Sequence, residues 1–202
     1  MGGITALYKQ QFESRKQTNL NWFEALRERA MEGFIESGMP GRNNEAWKYT
    51  PLTRLNDGNF SIEKSKVDKQ KSVNHQVIHL LDGDLVIPKT LPKGVVICDL
   101  YTGILNYPEL VKKNFETSLE TTKDAFQLLN LALMQTGVFV LVSDNNFVEE
   151  TIEISFETSA GGRAQHLRNI YLVGQGATVN IIERFCGDNT LEYSNKVISS
   201  VL

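Results

Sequence analysis

The chain has 202 residues, of which 41% are hydrophobic and 22% charged, and a formal net charge of -3. That length suffices for one large domain or two small ones with a real core. The mildly acidic balance excludes a general nucleic-acid binder, which would be basic. Two cysteines, Cys98 and Cys186, do not make a disulfide framework and fit a reducing compartment.

The N-terminus, MGGITALYKQQ, has no apolar run behind a basic start, so no signal peptide is visible. Ala6 stands where a myristoylation pattern needs Ser or Thr. The longest apolar stretch runs from Leu128 to Val142 and is interrupted by Asn130, Gln135, Thr136 and Gly137. It is shorter than the roughly 20 residues that span a bilayer. The expectation is a soluble, cytoplasmic protein with no membrane or nucleic-acid partner.

In chain order, Ile4 to Phe12 reads as a first amphipathic helix. A second follows in NWFEALRERAMEGFIESG, where Trp22, Phe23, Leu26, Ala30 and Phe34 share a face. Asn21 and Glu24 have the spacing of a capping box. Gly38 fits the left-handed position after the last turn, and Pro40 bars continuation. The next segment, GMPGRNNEAWKYTPL (38–52), carries Trp47 and Tyr49 between Pro40 and Pro51. Each ring offers an apolar body with a polar handle, suited to packing a turn onto another element. The segment is expected to pin the N-terminal helices onto the rest of the fold. Removal of a buried Trp47 ring would cost roughly 3 kcal/mol or more. Residues 61–75, SIEKSKVDKQKSVNH, hold four lysines and two acids and read as a solvated loop rather than a basic patch for an acidic partner.

From Val77 the runs QVIHLL, DLVIP and GVVICDL have strand character, separated by turns such as Asp82-Gly83. Helices are predicted from Pro108, a first-turn residue, and from Asp124, the latter ending at Gly137. Beyond Gly137 the chain reads as successive strands. Ile152, Ile154 and Phe156 alternate with Glu153, Ser155 and Glu157. HLRNIYLV, ATVNIIERF and LEYSNKVISSVL follow. Few hairpin dipeptides intervene, and the sequence stops in an apolar strand pattern at Val201-Leu202, which favours a solenoid over a sandwich. The division expected is 1–72, a helical region and linker; 73–136, an α+β connection; and 137–202, the coils.

Motifs for chemistry are weak. GQGATV (174–179) places Val179 where a dinucleotide loop needs Gly or Ala and is followed by a strand, so it reads as a turn. Arg163, His166 and Arg168 near Gly161-Gly162 form an anion-binding cluster or, more simply, a solvated corner. Cys186 follows His166 by 20 residues, but a metal site needs three or four ligands. Cys98 reads as core. His75 and His79 could share a strand face, yet no acid in the sequence pattern completes a catalytic set. The acidic pairs Asp82/Asp84 and Glu149/Glu150 do not define a sugar-cleaving site. No catalytic, cofactor-binding or metal-ligating residue is assigned.

NEAWKYTPL, residues 44–52, after a helix and a Gly-x-Pro turn, resembles the N-terminal signature of SufD-type members of the SufB/SufD family, which serve the SUF iron–sulfur cluster assembly system. RNIYLVGQGATVNIIERFCG (168–187) resembles that family's early β-helix coils. The resemblance implies a mainly β fold with N-terminal α structure: a right-handed parallel β-helix, truncated, preceded by a helical and α+β region. It further implies a non-catalytic scaffold subunit that pairs with SufB, and with the SufC ATPase through a C-terminal region beyond Leu202. The iron–sulfur cluster would sit transiently on the full complex, with no cofactor on this stretch. Self-association through an open β-helix end is expected. Competing readings are a β-solenoid interaction module without a cluster role and a polysaccharide-cleaving β-helix enzyme.

Overall fold

The computed structural model describes residues 3–58, 60, 77–158, 164–187 and 193–201. Two N-terminal helices, α1 (Gly3–Ser14) and α2 (Asn21–Ser37), precede a 3-10 turn at Glu45–Trp47 and a short α3 (Thr53–Asp57). A hairpin of β1 (Ile78–Leu81) and β2 (Asp84–Val86) follows, then β3 (Val95–Asp99). Three helices come next, α4 (Leu100–Asn106), α5 (Pro108–Thr121) and α6 (Ala125–Leu133). The chain then runs through β4 (Val138–Val142), β5 (Ile152–Thr158), β6 (Ala164–Val173), β7 (Ile181–Gly187) and β8 (Tyr193–Val201).

The strands form two four-stranded sheets, ordered β2-β1-β5-β7 and β3-β4-β6-β8. Both are mixed. β1 pairs antiparallel with β2 and β3 antiparallel with β4, whereas β1–β5, β5–β7, β4–β6 and β6–β8 are parallel. The expectation of a mainly β chain built as a right-handed parallel β-helix is therefore corrected: the fold is mixed α/β with two mixed sheets. Two physical features account for the difference. Asp82 and Gly83 both take positive φ, 46° and 93°, the conformation of a two-residue primed hairpin turn, so this Asp-Gly turn closes an antiparallel pair. The apolar helices between β3 and β4 also build a second core, shared with α1, α2 and one face of β4 and β6.

Alternation along the strands divides the apolar side chains between two layers. Val138, Val140 and Val142 of β4 and Leu167 and Tyr171 of β6 pack between the sheets with Ile78, Leu80, Ile97, Ile152, Ile154 and Phe156. Phe139, Ile170 and Leu172 point the other way, onto the helices, where they meet Tyr8, Phe12, Phe23, Leu26, Phe34, Ile104, Phe115, Leu129 and Leu133. Strand β6, covered on both faces, is buried along almost its whole length. Gly137 sits where any side chain would run into the Arg168 carbonyl of β6, so the entry to β4 requires glycine.

Several local expectations hold. Gly38 ends α2 with φ of 65° and donates its N–H to Phe34 O at 2.8 Å. Pro108 opens α5, and the Asp124 carboxylate caps α6 by accepting from Gln127 N at 2.9 Å. α6 ends at Leu133, short of Gly137, because Met134 takes an extended ψ of 131°. The capping box is corrected. Asn21 lies inside α2 after a Leu20 cap that has no side-chain bond, and Glu24 turns back to the Thr18 N–H and hydroxyl at 2.9 and 3.0 Å. Helix α4 lay hidden behind the GVVICDL run; Asp99 caps it, accepting from Thr102 N at 2.9 Å and from its hydroxyl at 2.6 Å. Among the described residues, no helix is long and apolar enough to cross a membrane.

Candidate functional site

Where α1 runs out, the chain turns through Arg15–Leu20 into α2, and this elbow faces the start of α4 and the end of α6. Between them lies a cleft of about 540 Å³. Phe23, Leu100, Tyr101, Ile104 and Met134 supply apolar wall, while Ser14, Arg15, Lys16, Thr18, Arg27 and Gln135 supply polar lining.

Its two arginines are held by the surrounding structure. Arg15 donates to the Phe12 carbonyl at 2.7 Å and to Glu24 at 2.5 Å, with its guanidinium 3.5 Å above the Phe12 ring. Arg27 donates through Nε to the Ala132 carbonyl at 2.8 Å and approaches Glu24 at 3.5 Å. Their side chains are 7% and 6% exposed. Burial pulls both guanidinium pKa values down, that of Arg27 to about 10, against the attraction of Glu24. Both remain cationic at neutral pH.

The residues singled out in the sequence are dispersed. His166 and Arg168 do not form a solvated corner: both are buried on the helix face of β6. The His166 ring meets Tyr8 edge-on at 6.1 Å, and burial depresses its pKa to about 3. Arg168 donates to Asn130 Oδ1 at 3.3 Å and lies 5.5 Å from the Phe115 ring centroid. Arg163 and His75 lie outside the described residues, as does the 61–75 segment. Cys98 is partly buried on β3, its thiol pKa pushed up to about 11 by burial and then by Asp99. Cys186 is exposed on β7, in the other sheet. No group of three metal-ligating side chains occurs among the described residues. GQGATV is a turn: Gln175 N donates to the Asp144 carboxylate at 2.8 Å, and Ala177 N to the Gly174 carbonyl at 3.0 Å.

Two arrangements escaped the sequence reading. His79 does have an acidic partner, Glu157 of β5, at 2.8 Å. The two are 78 positions apart, and only the β1–β5 register brings them together. Between the sheets, Asn169 donates to Tyr171 Oη at 3.1 Å and to Glu183 at 2.8 Å, and accepts from Val138 N at 3.0 Å. The Tyr171 hydroxyl also donates to Glu183. Burial and then this carboxylate raise the Tyr171 pKa.

The 38–52 segment is half as expected. Asn44 caps the 3-10 turn through Ala46 N at 3.2 Å. Trp47 is partly buried against Phe126 of α6, ring centroids 4.7 Å apart. Tyr49 is 86% exposed and packs no core.

This docking turn lies within the stretch, residues 3–154, that matches the family model described as the SufBD protein N-terminal region. The chain belongs to the SufBD family. Among its relatives, an iron-sulfur cluster assembly SufBD family protein of Pyropia yezoensis is 24% identical over 122 residues, covering 58% of this chain and 25% of that protein. One of Staphylococcus saprophyticus is 26% identical over 91 residues, covering 45% and 20%. One of Synechocystis is 25% identical over 95 residues, covering 47% and 20%. The chain thus spans a quarter or less of the SufBD relatives it matches here.

Proposed function

We propose that this chain is the N-terminal region of a SufD-type subunit of an iron–sulfur cluster assembly complex. The observation that carries this reading is the SufBD family match over residues 3–154, together with relatives named for iron–sulfur cluster assembly. The SufD rather than SufB assignment rests on NEAWKYTPL at 44–52.

In this reading the chain is scaffold, not catalyst. It pairs with a SufB-type subunit, and contact with a SufC-type ATPase falls to sequence outside these 202 residues. The complex works in the cytoplasm, where Cys98 and Cys186, both free thiols, stay reduced. The cluster is cargo of the assembled complex. The helical layer supplies a rigid body for such a role, because α1 and α2 share one core with α4–α6 and with the sheet.

Iron and acid-labile sulfide, measured on the assembled complex after reconstitution, test the cluster role. Stoichiometric iron and sulfide support it. Background levels in a complex that still assembles would leave a plain interaction module.

A further inference from the structure

The cleft beside α1 carries more positive than negative charge. Arg15, Lys16 and Arg27 line it, and no Asp or Glu is among its described lining residues. Glu24 lies behind the wall and is shared by both arginines. Glu28, on the exposed face of α2, also attracts Arg15. Lys16 stands exposed at the rim.

Arg15 supplies a second, independent observation. Its side chain is more than nine-tenths buried, yet its Nε has no hydrogen-bond partner among the described residues. A buried, unsatisfied donor on a cation is costly to keep. Each guanidinium carries several N–H donors in a planar fork that matches a carboxylate. Phe23, Leu100, Ile104 and Met134 add apolar wall to the same lining, with the Arg27 guanidinium 5.5 Å from the Phe23 ring centroid, and Tyr101 is partly exposed. A lining of cations and apolar side chains together suits an anion joined to an apolar body.

We propose that this cleft binds a carboxylate carried on an apolar body, with the carboxylate toward Arg15, Lys16 and Arg27 and the body against Phe23, Leu100, Tyr101 and Ile104. Glu24 already offsets part of the positive charge, so a single carboxylate suits the site better than a dianion. The size of the cleft fits a small aromatic acid or a short acidic-aromatic stretch of polypeptide. These are two sources of one chemistry.

The test uses the full 202-residue chain, isotope-labelled, with three probes followed by amide chemical shifts: 4-phenylbutyrate, 4-phenylbutanol and the blocked dipeptide acetyl-Glu-Phe-amide. The expected result is saturable binding of one or both acids, with shifts centred on Lys16, Thr18, Tyr101 and Gln135. The alcohol should bind at least 10-fold more weakly. Binding of the dipeptide alone identifies a protein segment as the source, and binding of phenylbutyrate alone a small molecule; either supports the site. Lys16→Glu and Tyr101→Ala change exposed or half-exposed positions and should leave the fold intact while weakening the acids at least 5-fold. Equal binding of acid and alcohol, affinity unchanged in Lys16→Glu, or no saturable shift at millimolar probe would overturn the proposal.

Discussion

Arg27 of α2 and Ala132 at the end of α6 are joined by a 2.8 Å hydrogen bond across 105 residues of chain. The last carbonyls of a helix lack partners within it, and here a buried guanidinium fills that role. The same side chain reaches Glu24, so one residue ties the N-terminal helix pair to the helices that follow β3.

Arg27→Met should therefore destabilise the fold by about 2–4 kcal/mol, because it strips a buried carbonyl of its donor and leaves the partly buried Glu24 carboxylate with less compensation. Arg27→Lys should recover less than half of that, since an ammonium cannot serve two acceptors in the same plane. Urea unfolding monitored by circular dichroism reads both values. A loss under 1 kcal/mol in the methionine variant would show that the bond is incidental.

His166 predicts a pH dependence. Burial lowers its pKa from 6.5 to about 3, so below pH 6.5 the unfolded chain takes up a proton that the folded chain refuses. Its contribution is fully present above pH 6.5 and is lost progressively as pH falls toward 3. The loss should reach about 2 kcal/mol at pH 5. Comparing the pH dependence of the urea midpoint in the native chain and in His166→Gln isolates this component from the carboxylates. Parallel curves from pH 7 to 4.5 would contradict the assignment.

Trp47→Ala should cost about 1–2 kcal/mol, less than a fully buried ring would, because Trp47 covers Phe126 with one face while remaining partly solvated. Tyr49→Ala should change stability by less than about 0.5 kcal/mol. Thermal midpoints measured side by side decide the ranking. Equal losses would mean that the motif packs as a unit.

The hydroxyl of Tyr171 and the carboxylate of Glu183 lie in different sheets and share Asn169. Tyr171→Phe should cost about 1–3 kcal/mol by leaving the Glu183 carboxylate short of a donor and the Asn169 amide short of an acceptor. A double-mutant cycle with Glu183→Gln should show coupling above about 0.5 kcal/mol. Strict additivity would indicate that the bond between them contributes nothing specific.

Strand β7 lies at the end of its sheet among the described residues, and Phe185 stacks on Phe156 yet is 54% exposed, with Ile182 51% exposed. Apolar edge strands of this kind pair with other chains. Sedimentation should show association that rises with concentration and falls in Phe185→Lys. A monomer at every concentration would exclude it.

The pattern of the sequence carried the helices well, since Pro108, Asp124 and Gly38 act locally through φ and capping. It carried sheet organisation less well. A period of two marks Ile152, Ile154 and Phe156 as one face, but says nothing of the direction of the neighbouring strand. The primed turn at Asp82-Gly83 was the one readable sign of an antiparallel pair. His166 and Arg168 looked exposed because polar residues beside glycines usually are, and only a helical layer over β6 buries them. The cleft was not legible at all: Arg15, Arg27 and Leu100 converge through tertiary packing.

The central claim, membership of an iron–sulfur assembly scaffold, is tested most directly by co-purification from native cytosol of a longer protein containing this chain, with partners identified by mass spectrometry. The account predicts a SufB-type subunit and an ABC-type ATPase in stable stoichiometry. Elution of that protein without either partner would contradict it.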